Sequence, residues 1–334
     1  MTYEDGLLDA SQPISPADTQ RLSLIRQLLE CRARLSDSRI NNRLLQELIF
    51  KYSALEKKLK TLNRELMIKQ ERIDQDLSAA ANIQRSLLPR RASFLEGLKL
   101  AWEFKPCEKI GGDIFNLTQL DKEHWAIYII DVAGHGVPAA MVAVSVFQYL
   151  QPQSGHTMMM LRDSLKAQRV RKPAQVLEFL DREFTFDRFN NFFTMNYVIV
   201  NTKTGRLTSS SAGHPPPILL RKDGTLKLLK KGGRPLGTID LRLSDEEPII
   251  YEEEHEQLSA GDKLIFYTDG VYEYQNAQGL FYGNERFYNR LKELKDQTVD
   301  RLVAAVFESL LIFGNNAVPK DDISLLGVEL QRRP

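Results

Sequence analysis

Between residues 20 and 88 the chain has no glycine and no proline, and its apolar positions recur at helical spacing. Leu45, Leu48, Tyr52, Leu55, Leu59, Leu62 and Leu66 step alternately by three and four, the seam of a heptad repeat. The other faces are charged, as in EKKLKTLNRELMIKQERIDQD, so a lone helix would leave this seam in water. The pattern predicts a self-associating coiled coil, with an upstream helix from Asp18 to Leu35 able to fold back on it. Lys69 and Asp76 fall in the continued seam and weaken it, and Pro89 and Gly97 end the helical stretch.

From about residue 98 the pattern changes to short β-rich runs: LKLAWEF, HWAIYIID, FFTMNYVIVN, RLTSSSAG, PILLRK, TLKLLKK, DKLIFYTDG and DDISLLGVEL. Turn signals such as NTKTG and KDGT separate them. Helices are expected over 137–150, 157–169, 173–184, 284–294 and 297–312. Hairpin-joined strands with helices in separate blocks indicate an α+β domain of antiparallel sheets. The expected organisation is a helical segment over 1–92 followed by a compact domain over 93–334.

Composition narrows the function classes. A length of 334 residues suits one large domain plus an appendage, and 43% hydrophobic with 27% charged residues is globular. With 45 basic and 44 acidic residues the net charge is +1, so no global field invites nucleic acid or an anionic membrane. No apolar run approaches the roughly 18–20 residues of a membrane span. The opening MTYEDGLLDASQPISP is acidic and lacks the form of a signal peptide. Cys31 and Cys107 supply no disulfide framework, which points to the reducing cytoplasm.

Four acids stand out by position. Asp113 follows Gly111-Gly112, and Asp131 ends the strand AIYII ahead of VAGHG. Asp269 ends LIFYT, while Asp321, beside Asp322, opens ISLLGVEL. A carboxylate at the rim of a buried sheet is costly without compensating positive charge. Neither YIIDVAGHG nor IFYTDGVYE contains a lysine or arginine. Several such acids brought together would repel, and a hard divalent cation is the usual remedy. GGDIF also invites comparison with the GGDEF signature of diguanylate cyclases. The upstream LKLAWEFKPCEKI lacks the aspartate near an asparagine that a cyclase requires, and the later acids would go unexplained.

The segments ANIQRSLLP, GGDIFN, DVAGHGVPAAM, KPAQVLEFLDREF, GGRPLG, GDKLIFYTDGVYE and PKDDISLLGVEL follow one another in a telling order. With FFTMNYVIVNTKTGRLTSSSAGHPPPILL among them, residues 82–330 resemble the SpoIIE/RsbU-type branch of the PPM (protein phosphatase 2C-like) serine/threonine phosphatases. The resemblance implies an αββα sandwich of two antiparallel sheets flanked by helices, here preceded by an all-α coiled-coil segment. It also implies two Mn²⁺ or Mg²⁺ ions, with Asp131 bridging them and Asp269 and Asp321 completing one. Asp113 and the carbonyl of Val132 would support the other, and Asp322 is set aside in favour of its neighbour.

Metal-activated water would then hydrolyse a phosphoserine or phosphothreonine. The implied substrate is a phosphorylated regulatory protein such as a STAS-type anti-anti-sigma factor. His135 lies two residues later than the general-acid histidine of eukaryotic-type members, so it stands either as proton donor or as a turn residue. His214 in SAGHPPP reads as a hydrogen-bonded fold residue rather than a ligand. The helical segment lacks the strands of a receiver, GAF or PAS sensor, and suits a homodimerising module that receives a regulatory protein. Its end, IDQDLSAAANIQRSLLP, would couple the seam to the acids. The rival reading is a catalytically silent phosphatase-like scaffold that binds partners through the coiled coil.

Overall fold

The computed structural model describes residues 16–34, 39–90, 94–95, 97–151, 160–164, 167–238 and 250–331. It separates into two compact units, Met1–Ile73 and Asp74–Pro334. Helix α1 spans Pro16–Arg34 and α2 spans Arg39–Leu87, the second with 49 residues. The seam side chains Leu48, Leu55, Leu59, Leu62 and Leu66 of α2 are exposed. Among the described residues no helix is long and apolar enough to cross a membrane. The MTYEDGLLDASQPISP opening lies outside the described residues, save for the backbone of its last residue.

The second unit contains the last turns of α2 from Asp74 and continues with β1 (Phe94–Leu95), β2 (Leu98–Lys105), β3 (Ile114–Gln119), β4 (His124–Val132) and α3 (Gly136–Tyr149). A hairpin of β5 (Met160–Ser164) and β6 (Ala167–Val170) precedes α4 (Pro173–Glu183) and the short α5 (Phe186–Phe189). Next come β7 (Phe193–Asn201), β8 (Arg206–Ala212), β9 (Ile218–Leu220), β10 (Leu226–Leu228), β11 (Gly232–Gly233) and β12 (Glu254–Gln257). The chain closes with β13 (Lys263–Tyr267), a 3₁₀ turn at Asp269–Val271, α6 (Gly283–Glu293), α7 (Val299–Phe313) and β14 (Ile323–Leu330).

One sheet has the order β1-β2-β14-β13-β9-β10, and the other β11-β8-β7-β4-β3 with β12 also against β8. All pairings are antiparallel except the two-residue contact of β11 with β8. Strand β13 shows why its sequence is apolar at every position. Leu264 and Phe266 enter the core shared with the second sheet, while Ile265 and Tyr267 enter the core beneath α6 and α7. On the far side α3 and α4 cover β4, β7 and β8. The four layers are therefore helices, sheet, sheet, helices, as the resemblance implies.

The expected helix over 157–169 is not formed where the chain is described. Residues 160–164 and 167–170 are the hairpin β5–β6, and 157–159 lie outside the described residues. Leu, Met, Lys, Ala, Gln and Arg are good helix formers, but strand pairing outweighs their propensity here. Asp181 of α4 is buried, and its Oδ1 accepts the N–H of Gly237 at 2.9 Å, tying α4 to the GGRPLG turn.

Candidate active site

The acids lie where strands of both sheets end. Asp131 is the penultimate residue of β4, Asp269 starts the 3₁₀ turn that follows β13, and Asp321 precedes β14. The Gly111–Asp113 loop leads into β3 and is held from several directions. Asp322 Oδ1 accepts the N–H of Cys107 at 2.9 Å, and its Oδ2 accepts the N–H of Asp113 at 3.3 Å. A Cβ on Gly111 would sit 2.0 Å from Asp322 Oδ2, so only glycine lets that carboxylate approach. A Cβ on Gly112 would lie 2.7 Å from the Val132 carbonyl oxygen, which faces the same space.

Asp113 is 2% exposed, and its Oδ2 accepts hydrogen bonds from Thr268 Oγ1 at 2.9 Å and Ser324 Oγ at 2.6 Å. Asp321 and Asp322 differ sharply despite being adjacent. Asp322 is buried with both oxygens committed to the loop, whereas Asp321 is exposed and its Oδ1 accepts the N–H of Asp322 at 2.8 Å.

The acids lie within reach of one another's fields. Burial, then Asp269, Asp321 and Asp322, push the Asp131 carboxyl up to about 7. Burial, then Asp321 and Glu273, push Asp269 up to about 6. Burial, then Asp131 and Asp322, hold Asp113 well above the usual carboxylate range, and burial raises Asp321. Among the described residues no lysine or arginine pairs with Asp131, Asp269 or Asp321. Uncompensated like charges of this kind suit a divalent cation. Among the described residues no three acidic, histidine or cysteine side chains already converge on one ion-sized point.

Three neighbours complete the surroundings. His135, the residue before α3, makes no capping bond and instead places Nδ1 2.8 Å from Glu108 Oε1, with its side chain 65% exposed. His214 is buried and bonded to Thr194 and to the Tyr267 carbonyl. Gln84 of α2 is 5% exposed and grips the glycine loop at both polar groups of Gly111. Its Nε2 donates to the Gly111 carbonyl at 2.7 Å, and its Oε1 accepts the Gly111 N–H at 3.3 Å. Ala81 packs beside Gln84's turn against Ile110 and Ala140. The Cys107 thiol is pushed up to about 12 by burial and by Asp322, so it is no thiolate nucleophile.

Sequence reasoning singled out the acids and did not find Thr268, Ser324, Gln84 or Glu108. A hydroxyl directly before Asp269 was the available signal.

A model of the Stage II sporulation protein E (SpoIIE) family matches residues 121–331. The chain is 29% identical over 245 residues to Phosphoserine phosphatase RsbU of Bacillus subtilis (strain 168), covering 72% of this chain and 66% of that protein. The match therefore spans just under two thirds of that relative's length. The SiaA-PP2C domain of Pseudomonas aeruginosa is similar with a TM-score of 0.62 and 23% identity, over 78% of this chain and 98% of that one. RsbX, solved in complex with magnesium, is similar with a TM-score of 0.51 and 16% identity, over 72% and 98% of the two chains. At these identities the two structures are similar to this chain in fold.

Proposed function

The chain belongs to the Stage II sporulation protein E (SpoIIE) family, and on that premise we propose that it is a metal-dependent protein phosphatase acting on phosphoserine or phosphothreonine. The substrate we propose is a phosphorylated regulatory protein, of the STAS-type anti-anti-sigma class. The observation that carries the reading is the gathering of Asp131, Asp269 and Asp321 where strands of the two sheets end, with no lysine or arginine among the described residues paired to them. The name of the RsbU relative, a phosphoserine phosphatase, supports the same chemistry.

In this reading Asp131, Asp269 and Asp321, with Asp113 and the Val132 carbonyl, would hold the Mn²⁺ or Mg²⁺ ions. When bound, the ions would lower the pKa of a coordinated water toward about 7 and offset phosphoryl charge. The residues of the chain do the rest. Thr268 and Ser324 occupy Oδ2 of Asp113 and so fix which oxygen is left for other partners. Asp322 holds the glycine loop that carries Asp113. Glu108 takes the Nδ1 side of His135, leaving Nε2 to hold the proton that the departing serine oxygen needs.

Residues 1–92 form the regulatory segment and 93–334 the catalytic one. The exposed leucine seam of α2 supports homodimerisation through a coiled coil, and the same segment receives a regulatory protein. The two-point grip of Gln84 on Gly111 supports coupling between α2 and the acids. Cys31 and Cys107, both free, suit action in the cytoplasm.

Incubation of the purified chain with a phosphoserine-bearing STAS protein tests the proposal. Release of phosphate with Mn²⁺, its loss with EDTA and its loss in Asp131→Asn are expected. Phosphate release that EDTA leaves untouched would reject the metal-dependent mechanism, and no release in any metal would leave the scaffold reading.

A further inference from the structure

His214 occupies a turn whose backbone is fastened on every side. The Gly213 N–H donates to the Gly233 carbonyl at 3.0 Å, and Ser211 Oγ donates to the His214 carbonyl at 3.1 Å. Asn196 Nδ2 donates to the Pro215 carbonyl at 2.7 Å. At Gly213 φ is +66°, and a Cβ there would meet Pro235 Cγ at 2.5 Å. The imidazole that this turn projects is 4% exposed.

Its two nitrogens reach different sheets. Nε2 lies 3.2 Å from the Tyr267 carbonyl, which can only accept, so Nε2 carries the hydrogen. Nδ1 therefore accepts the Thr194 hydroxyl at 2.7 Å. Burial pushes the imidazole down to about 3, so the ring is neutral and the tautomer stays fixed. Both contacts fall beside the acids. Thr194 is the β7 residue directly opposite Asp131 of β4. Tyr267 ends β13 two residues before Asp269, and Thr268 between them donates to Asp113. The pairing of β13 with β9 stops at Ile265, so no β9 residue pairs with Tyr267 and His214 provides a partner for its carbonyl.

We infer that His214 is a positioning residue that spans the two sheets, sets the separation of Asp131 from Asp269, and thereby tunes the affinity for the divalent ions held there. This rests on the phosphatase reading of the acidic edge. The histidine touches neither substrate nor ion and acts through the two strand ends.

The two nitrogens can be replaced separately. Glutamine places an amide nitrogen near the position of Nε2, while asparagine places a carbonyl oxygen near that of Nδ1. Mn²⁺ binding to the full chain, measured by isothermal titration calorimetry beside the melting temperature of metal-free protein, reads the difference. His214→Asn, which drops the Tyr267 contact, is expected to weaken Mn²⁺ binding by about tenfold or more. His214→Gln and Thr194→Val, which cut the Thr194 half of the span, are expected to weaken it by a similar factor, and both histidine variants lose thermal stability. Equal Mn²⁺ affinity in wild type, His214→Asn and His214→Gln at lowered melting temperatures would reduce His214 to a fold residue and overturn the inference. Should His214→Asn fail to fold, a folded His214→Gln or Thr194→Val that binds Mn²⁺ as tightly as wild type would overturn it equally. Wild-type protein that binds no Mn²⁺ would instead reject the phosphatase reading, and this inference with it.

Discussion

Strand β13 is flanked by a buried or half-buried aspartate at each end, and the fold treats the two in opposite ways. Asp262, at the start, is 3% exposed and fully provided for. Arg221 Nη1 lies 2.8 Å from its Oδ2, and the N–H groups of Ser259 and Lys222 donate at 2.9 and 3.2 Å. Asp269, at the other end, faces Asp321 and Glu273, and among the described residues no lysine or arginine pairs with it. The same chain thus has the means to neutralise a strand-end acid and withholds them at one edge. Uncompensated carboxylates lower stability, so their retention marks a place reserved for an external positive charge.

The sharpest way to break this contrast is to remove the charges at the unpaired edge. Asp131→Asn and Asp269→Asn are each expected to lower phosphoserine hydrolysis by about 10³-fold, equivalent to about 4 kcal/mol of transition-state stabilisation. The melting temperature of the metal-free protein should rise in both, since a repelling charge has gone. A fall in stability that parallels the loss of activity would make these acids structural. Asp322→Asn belongs to the other class. It is expected to retain most activity at saturating metal and to lower stability, because its oxygens secure the N–H groups of Cys107 and Asp113. Equal activity losses in Asp321→Asn and Asp322→Asn would reverse the assignment of the final ligand.

The paired end gives the mirror-image result. Arg221→Ala leaves Asp262 buried without its cation and is expected to cost roughly 2–3 kcal/mol, or about 5–10 °C in melting temperature. Activity per folded molecule should stay unchanged.

A smaller effect follows from pH. In the metal-free protein Asp131 titrates near 7 and Asp269 near 6, both above the ordinary carboxylate value. Between about pH 4 and 7 the folded state therefore holds more protons than the unfolded one, and stability falls as pH rises. Calorimetry should show a melting temperature that declines from pH 5 to pH 8, with the slope flattened by Mn²⁺ or by Asp131→Asn. A melting temperature that rises across this window would mean that the acids are compensated after all.

Much of this contrast is legible from sequence, for a physical reason. Strands such as β13 and β14 announce themselves because both their faces are buried, and an acid at the end of an apolar run is conspicuous. What escapes is chemistry that distance along the chain conceals. Thr268 and Ser324 reach Asp113 from 155 and 211 residues away, and a hydroxyl beside an apolar strand carries no mark of that contact. The same holds for Gln84, whose partner Gly111 is 27 residues on. Strand β12, GluHisGluGln in sequence, has no apolar alternation and exists only because β8 offers an edge. The β5–β6 hairpin is the converse case, where local propensity favours a helix and pairing across the turn prevails.

Glu108 and His135 represent a third treatment of charge, paired yet exposed, with 51% and 65% of their side chains accessible. Exposed pairs contribute little to stability, about 0–1 kcal/mol, so removing this one should leave the melting temperature nearly unchanged. Its consequence is confined to the orientation of His135. A nitrophenolate leaves without help, because its conjugate acid is strong, whereas a serine oxygen must be protonated as it departs. Glu108→Gln is therefore expected to leave p-nitrophenyl phosphate hydrolysis within about twofold of wild type and to slow phosphoserine hydrolysis about fivefold. His135→Ala should widen the same gap. If both substrates slow by equal factors in both variants, the pair contributes no proton to the leaving group, and His135 belongs with the turn rather than with the acids.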